Sequence, residues 1–388
     1  MLHVLEAFAG GTERHLVDIV RHVNGFEHVV AVPSHHHGRS TALAAASIAS
    51  AGATVVDVGM TRSPAPPANA AALMALRRLV TRLQPDIVHG HSSIGGALAR
   101  LASVGSGSAV VYTPHALSRS WWALTMERAL RRRTDRFIAV SRSEGEFAIT
   151  QRVTSPDRLA VIPNGIDLER PPMLDPPLRT MLALGDDVPL VGCVGRLTWQ
   201  KAPEVYVSAC AIASSREPRA HFVLIGSGPM RSALELAVAD SRLSERFHHI
   251  PSLRNAAAAL AELDVYVLAS RFEGAPYTPL EAMRARTPVI VTDVAGNRDV
   301  IEHGVSGLVV APDDARATAD AIVTLLQDPG MRESLARAAH EVLVASFDVR
   351  LMARSTAAVY EDLLASSSSV SAPVPGRTIR SADRRPNQ

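Results

Sequence analysis

The chain has 388 residues, 40 Lys+Arg against 38 Asp+Glu, and 47% hydrophobic residues. Its length exceeds one ordinary core and points to two domains, while a net charge of +2 excludes a general affinity for nucleic acid. No run reaches the ~18–20 consecutive apolar residues that span a bilayer.

The first run, "LHVLEAF" at 2–8, reads as a strand, because it lacks the basic region and cleavage site of a signal peptide. In the loop after it, Gly10 and Gly11 permit a ligand to approach the backbone. Six more β-rich runs follow at 28–34, 54–60, 86–91, 109–115, 136–141 and 159–165. They are apolar without strict alternation, as strands buried on both faces of a parallel sheet are. The alanine-rich segments between them supply right-handed helical crossovers. The triplet at 35–37, three histidines in a polar loop without partner ligands, reads as surface. His89 and His91 are one residue apart at a strand end, so both point to one face and are candidate site residues. His115 ends the strand "AVVYTPH". Trp121 and Trp122 precede a helix carrying Arg128, Arg131, Arg132, Arg133 and Arg136. That combination suits either an anionic membrane surface or a buried aromatic pair beside a solvated basic face.

Between about 166 and 188 the pattern thins and four prolines mark a linker. Six further runs follow, at 190–197, 221–228, 247–253, 264–270, 288–293 and 307–312. Two Rossmann-like, doubly wound parallel-sheet domains facing across a cleft are therefore expected, with ligands at the carboxyl ends of the strands. The tail 366–388 has little to bury and is expected to be disordered. Cys193 and Cys210 lie in one apolar region, as buried thiols of a reducing compartment do, so the expected location is cytoplasmic.

Lys201 is the only lysine in a chain with 39 arginines. It stands in "GRLTWQKAP", after Gly195 and Arg196, where a helix should begin. A guanidinium, an ammonium and a helix N-terminus aimed at one point suit a diphosphate; a compact ammonium reaches oxygens where a planar fork does not fit. The loop "GSGPMR" has Arg231 at the third glycine position, which counts against a dinucleotide cofactor. In "SRFEGAPYTPLEAM", Glu273 and Glu281 are eight residues apart, about 12 Å if both were on one helix. That spacing cannot flank one glycosidic bond. Pro279 suggests a helix starting near Thr278, with Glu273 in the loop and Glu281 in the first turn.

Gly10-Gly11, "TPH" at His115, "IPNGID" at 162–167, "GRL…K" at 195–201, Glu273-x7-Glu281 and "HGxxGLVV" at 303–310 occur together and in order. In this the chain resembles the retaining GT-B glycosyltransferases of family 4, over nearly its whole length. The resemblance implies an acceptor-binding domain at 1–168, completed by a returning helix at 346–364, and a nucleotide-sugar-binding domain at 169–345. It implies that Arg196 and Lys201 hold the donor diphosphate, Glu281 the ribose and Glu273 the transferred sugar. Backbone amides of Gly274, Ala275, Pro276, Tyr277 and Thr278 would bind sugar and β-phosphate, with Gly11 near the phosphates. His115 would sit beside the anomeric carbon, and the base against backbone near Leu253. His91, Trp121 and Trp122 are the acceptor-side candidates. Ala202, Asn297 and Asp299 depart from the family pattern, where a glycine, a small residue and a glutamate are common.

The donor is then a nucleoside-diphosphate sugar and the acceptor a saccharide hydroxyl, polyprenyl-linked in one reading, in polysaccharide or glycolipid synthesis. No cofactor and no metal are expected, since no D-x-D or carboxylate cluster stands ready and Arg196 and Lys201 would neutralise the leaving group. Same-face attack and double displacement both remain open, the former favoured for want of a nucleophilic carboxylate. A nucleotide-sugar epimerase of the same architecture, or a non-catalytic nucleotide-sugar-binding protein, is the alternative.

Overall fold

The expected runs all form strands, and all but the one at 86–91, which reaches the end of its run at His91, stop short where the carboxyl end turns into a loop. A computed structural model describes residues 1–6, 10–33, 41–63, 66–169, 173–241, 243 and 245–370. In the first domain the strands are β1 (Leu2–Leu5), β2 (Val29–Val32), β3 (Thr54–Asp57), β4 (Ile87–His91), β5 (Ala109–Thr113), β6 (Arg136–Ala139) and β7 (Leu159–Val161). They pair in the order β3-β2-β1-β4-β5-β6-β7, all parallel. In the second they are β8 (Leu190–Val194), β9 (His221–Ile225), β10 (Phe247–Ile250), β11 (Val265–Leu268), β12 (Val289–Thr292) and β13 (Leu308–Val310). Their order is β10-β9-β8-β11-β12-β13, again all parallel.

Helices cover both faces of each sheet, which is why the strands read as apolar runs. In the second domain, one core gathers Val191, Phe222 and Val267 under helices Pro203–Arg216 and Ala315–Gln327. Another gathers Val223, Tyr266 and Val291 under helices Tyr277–Ala285 and Pro329–Ser346. Both cysteines are buried in the first of these cores, and burial pushes the Cys193 thiol up to about 12.

The chain crosses between domains twice. Ile166 N donates to Phe347 O at 2.8 Å and Val349 N to Ile166 O at 3.0 Å, so the two crossings are bonded to each other. A Cβ on Gly165 would lie 2.6 Å from Val349 Cα, which only glycine avoids. After the second crossing, helix Val349–Val370 packs on the first domain through Val349, Met352, Tyr360 and Leu363, against Ile19, Val111 and Ile138. This returning helix is longer than the expected 346–364. It runs through Ser366, whose hydroxyl donates to the Asp362 carbonyl one turn back, so the tail does not begin at 366; residues 371–388 lie outside those described.

Candidate active site

In each sheet the strand order reverses at one place, between β1 and β4 and between β8 and β11. The crevice at the carboxyl ends of such strands is where open α/β sheets hold ligands. Here the two crevices face each other across a cavity of about 430 Å³. Its walls come from the segments after β1, β3, β4, β5 and β7 on one side, and from those after β8 and β11 on the other.

Two helices open onto this cavity without a side-chain cap. Helix Gly11–His22 has Gly10 at its N-cap, and helix Tyr277–Ala285 has Pro276. Their first N–H groups have no intrahelical partner and carry the positive end of the dipole. Pro276 itself has no N–H, so of the stretch expected to donate amides, only Gly274, Ala275, Tyr277 and Thr278 can do so.

The loop after β8 brings Gly195, Arg196 and Lys201 to the cavity wall. Lys201 Nζ donates to Glu273 Oε1 at 2.6 Å, and Gln200 Nε2 to Glu273 Oε2 at 3.4 Å. The Glu273 side chain is only 6% exposed, yet its carboxylate keeps lone pairs that can accept further hydrogen bonds. Arg196 is exposed and has no ion-pair partner among the described residues. Arg271 clamps the two loops together, donating its backbone N–H to Gln200 O at 2.8 Å and pairing with Glu204 and Asp313 at 2.6 and 2.8 Å. Beneath, a Cβ on Gly226 would lie 1.9 Å from Gly195 O, so the "GSG" turn sets the height of the Arg196 loop. Ala202, the departure from glycine, has φ of 47°. It holds a left-handed conformation that costs an L-residue roughly 1–2 kcal/mol.

From the first domain, Gly11 faces the Tyr277 ring so closely that a Cβ would meet it at 3.1 Å. His115 lines the cavity at φ of 60°, followed by Ala116 at 146°, and Ser92 on the neighbouring loop has 62°. Three non-glycine residues in positive φ at one spot are strain of the kind that sites accumulate. Gly274 explains part of it: a Cβ there would stand 3.0 Å from His115 O, so the loops of the two domains touch backbone to backbone. Asn164 adds a bridge, its Nδ2 donating to Ala275 O at 3.0 Å.

Behind His115 lies a buried set of imidazoles, His3, His15, His28, His89 and His91. Burial holds His3, His89, His91 and His115 well below the ordinary histidine range and His15 down to about 4. Their rings pack against one another, His89 on His91 at 3.9 Å and His15 edge-on to His115 at 4.5 Å between centroids. His15, His91 and His115 bring one nitrogen each within 4.8 Å of one another, as do His3, His89 and His91. Sequence spacing foresaw only that His89 and His91 share a face.

Several expected site residues stand elsewhere. Glu281 is in the second turn of its helix, not the first, because the helix starts at Tyr277. Its carboxylate pairs with Arg14 of the first domain, which lies 4.8 Å over the Tyr277 ring. His91 is fully buried behind His115 and does not line the cavity; β4 is buried on both faces, so a strand-end histidine there points into the core. Leu253 follows β10 and packs on the second-domain core, outside the cavity lining. Trp121 and Trp122 are exposed, 79% and 46%, and not a buried pair. Asp299 accepts from Ser143 N and Oγ at 3.0 and 3.1 Å, joining the domains away from the loop of Arg196 and Lys201. Asn297 is buried and donates to Thr292 O at 2.9 Å, so neither departure touches the cavity. The histidines at 35–37 lie outside the described residues. Arg14 and Asn164 were not singled out; only the "IPNGID" match pointed at the latter.

Comparison with known proteins agrees with this geometry. Residues 9–170 match the family model Glycosyltransferase Family 4, and residues 177–342 match Glycosyl transferases group 1. The UDP-Gal:alpha-D-GlcNAc-diphosphoundecaprenol alpha-1,3-galactosyltransferase of Escherichia coli is 29% identical over 275 residues, 66% of this chain and 70% of that one. The D-inositol 3-phosphate glycosyltransferase of Frankia alni is 30% identical over 285 residues, 66% of this chain and 69% of that one. In another curated relative the matched stretch spans 47% of that protein. Among solved structures, Anabaena Alr3699/HepE in complex with UDP and glucose superposes with a TM-score of 0.82 at 20% identity, covering 93% of this chain and 99% of that one. The fold is GT-B, and with one family model on each domain the chain belongs to the group 1 glycosyltransferases.

Proposed function

We propose that this glycosyltransferase is a retaining, metal-independent enzyme that moves a sugar from a nucleoside-diphosphate sugar to a saccharide hydroxyl. The observation that carries the reading is the convergence of Arg196, Lys201 and two uncapped helix N-termini on one cavity. The leaving diphosphate gains negative charge as the glycosidic bond breaks, and fixed cations and N–H dipoles favour that state over the ground state. Arg196 and Lys201 take the role that a divalent cation has in other transferases. Glu273, held by Lys201, accepts hydroxyls of the transferred sugar, with His115 beside the reacting carbon. Glu273 is the only carboxylate among the described residues that line the cavity, and its engagement with Lys201 and Gln200 supports same-face attack over double displacement. A donor diphosphate oxygen then receives the acceptor's proton.

UDP is the first nucleotide to try, because the Escherichia coli relative uses UDP-Gal and the Anabaena structure holds UDP. Thermal stabilisation by UDP, GDP, ADP and dTDP, each with EDTA, tests the site: at ~100 times Kd one of them should add about 2.7 kcal/mol, and the gain should vanish in Lys201→Ala. Activity that needs an added metal, or that survives Lys201→Ala, would overturn the reading. Donor isomerised without acceptor would show an epimerase instead.

The acceptor of the Escherichia coli relative is diphosphoundecaprenol-linked. Trp121 and Trp122 are exposed at the start of helix Trp121–Leu130, and Arg131, Arg132 and Arg133 are exposed just after its end; no described helix is long and apolar enough to cross a membrane. Peripheral docking on an anionic membrane at a cytoplasmic face fits those side chains. Cosedimentation with phosphatidylglycerol vesicles, lost when both tryptophans become alanine, is the expected result.

A further inference from the structure

The imidazoles behind His115 form a directed row. His28 Nε2 lies 3.0 Å from Val23 O, His28 Nδ1 lies 3.0 Å from His3 Nε2, His3 Nδ1 lies 3.1 Å from His91 Nε2, and His91 Nδ1 lies 3.2 Å from His115 Nε2. A carbonyl only accepts, so His28 must carry its proton on Nε2. A neutral imidazole with a proton on Nε2 offers Nδ1 as an acceptor. His3 must then donate from Nε2, and the same step repeats through His91 to His115. The last ring donates inward from Nε2 and is left with a lone pair on Nδ1, which has no partner among the described residues; His115 lines the cavity.

From this direction of bonding we infer that His28, His3 and His91 are positioning residues that lock His115 as a hydrogen-bond acceptor towards the cavity, selecting a sugar group with a hydrogen to give. A hydroxyl meets that condition; a carboxylate or keto oxygen does not. The lock is anchored at a backbone carbonyl three rings away, on the far side of β1. Two neighbours keep it from reversing. His15 donates its Nδ1 proton to Asn164 Oδ1 at 3.0 Å, since the Asn164 amide nitrogen is spent on Ala275 O, so His15 presents no Nε2 proton to His91 or His115. His89 is held by Tyr360 Oη at 2.7 Å and Thr113 Oγ1 at 2.8 Å, outside the row. The inference rests on the reading of His115 as a cavity residue, but only in its consequence for the sugar.

The test is tautomer-resolved NMR of the full chain labelled with 15N-histidine. All four rings should be protonated at Nε2 and bare at Nδ1; a proton on Nδ1 of His115, or stoichiometric zinc bound by these rings, would overturn the lock. His28→Leu removes the acceptor at the anchor, and His115 should then populate both tautomers. His28→Asn leaves an oxygen where Nδ1 stood and should restore the single Nε2–H form. Equal behaviour of the two variants would reduce His28 to packing and overturn the inference. In parallel, UDP release from UDP-galactose should fall about tenfold or more in kcat for His28→Leu and recover in His28→Asn, with UDP affinity unchanged in both as the control for folding. If His115→Ala leaves that turnover intact while the spectra show the locked row, it is the site reading that fails and the lock that stands.

Discussion

Lys201 carries two duties at once, and substitutions should separate them. It faces the cavity, and it neutralises a Glu273 carboxylate that is nearly withdrawn from water. Lys201→Ala should therefore lower kcat by about 100-fold or more, the usual cost of losing one preorganised charge. It should also lower stability, since a buried carboxylate without its partner costs about 1–3 kcal/mol. Replacing both, with Lys201→Met and Glu273→Leu, should return most of the stability and none of the activity, because a buried ion pair and a well-packed apolar pair are often equivalent in stability. Thermal melts and turnover of the single and the double variant check this. A double variant no more stable than Lys201→Ala would mean that the pair is not the source of the loss. Lys201 was visible beforehand because an arginine-rich chain spared one lysine in a strand-end loop. Its partner was not: Glu273 is 72 residues away, and both residues looked like direct ligand contacts. The Arg14–Glu281 pair, 267 residues apart, was hidden in the same way. Arg14 is one of many arginines until the two domains are set face to face.

At the scale of elements, the loops depend on close backbone approaches that side chains forbid. Gly226→Ala would force a methyl against Gly195 O. It should destabilise by about 2 kcal/mol or more and weaken UDP binding, by displacing the loop of Arg196 and Lys201; calorimetry with UDP measures the second effect. The strands were legible because apolar runs bounded by glycine and proline leave little choice of structure, and all but β4 ended a few residues early, where the chain turns into a loop. The imidazole row was not legible. His3, His28, His91 and His115 come from β1, β4 and the loops before β2 and after β5, and meet only through the strand order. Its burial sets a pH dependence. A histidine held below its unfolded value binds its proton only on unfolding, so stability is present above about pH 6.5 and is lost as pH falls from there towards the folded value. For His15, with a folded value of about 4, the loss is roughly 3 kcal/mol. His3, His89, His91 and His115 add to it in the same direction. Glu144 and Asp18, raised by burial to about 7 and about 6, act oppositely and gain stability on acidification. Five histidines outweigh two carboxylates, so the melting temperature should fall between pH 7 and pH 5. A flat or rising profile would mean that these rings are already charged.

For the whole molecule, the two-domain plan followed from thirteen runs and a proline-rich interval, and the cleft from the rule that ligands sit where strand order reverses. The mutual placement of the domains did not follow. It rests on single contacts such as Asn164 with Ala275 and Ser143 with Asp299, which no local pattern announces. Helix Val349–Val370 belongs by packing to a domain that otherwise ended near residue 165. Its buried Val349, Met352, Tyr360 and Leu363 represent about 1.5–3 kcal/mol each, together comparable to the whole stability of an ordinary domain. A chain ending at residue 348 should therefore lose the first domain's cooperative melting, while one ending at residue 365 should keep it; differential scanning calorimetry distinguishes the two.

That helix also sets a timetable for synthesis. A ribosome releases the first domain's seven strands early, but Tyr360, which bonds His89 and closes the core under β4 and β5, emerges nearly two hundred residues later. Domains made of one continuous segment can finish folding as they appear. Here the first domain waits, incomplete, while the second is made and folds. The half translated first is thus the last to be finished, and the interval is when its open sheet face is exposed to chaperones and to other nascent chains.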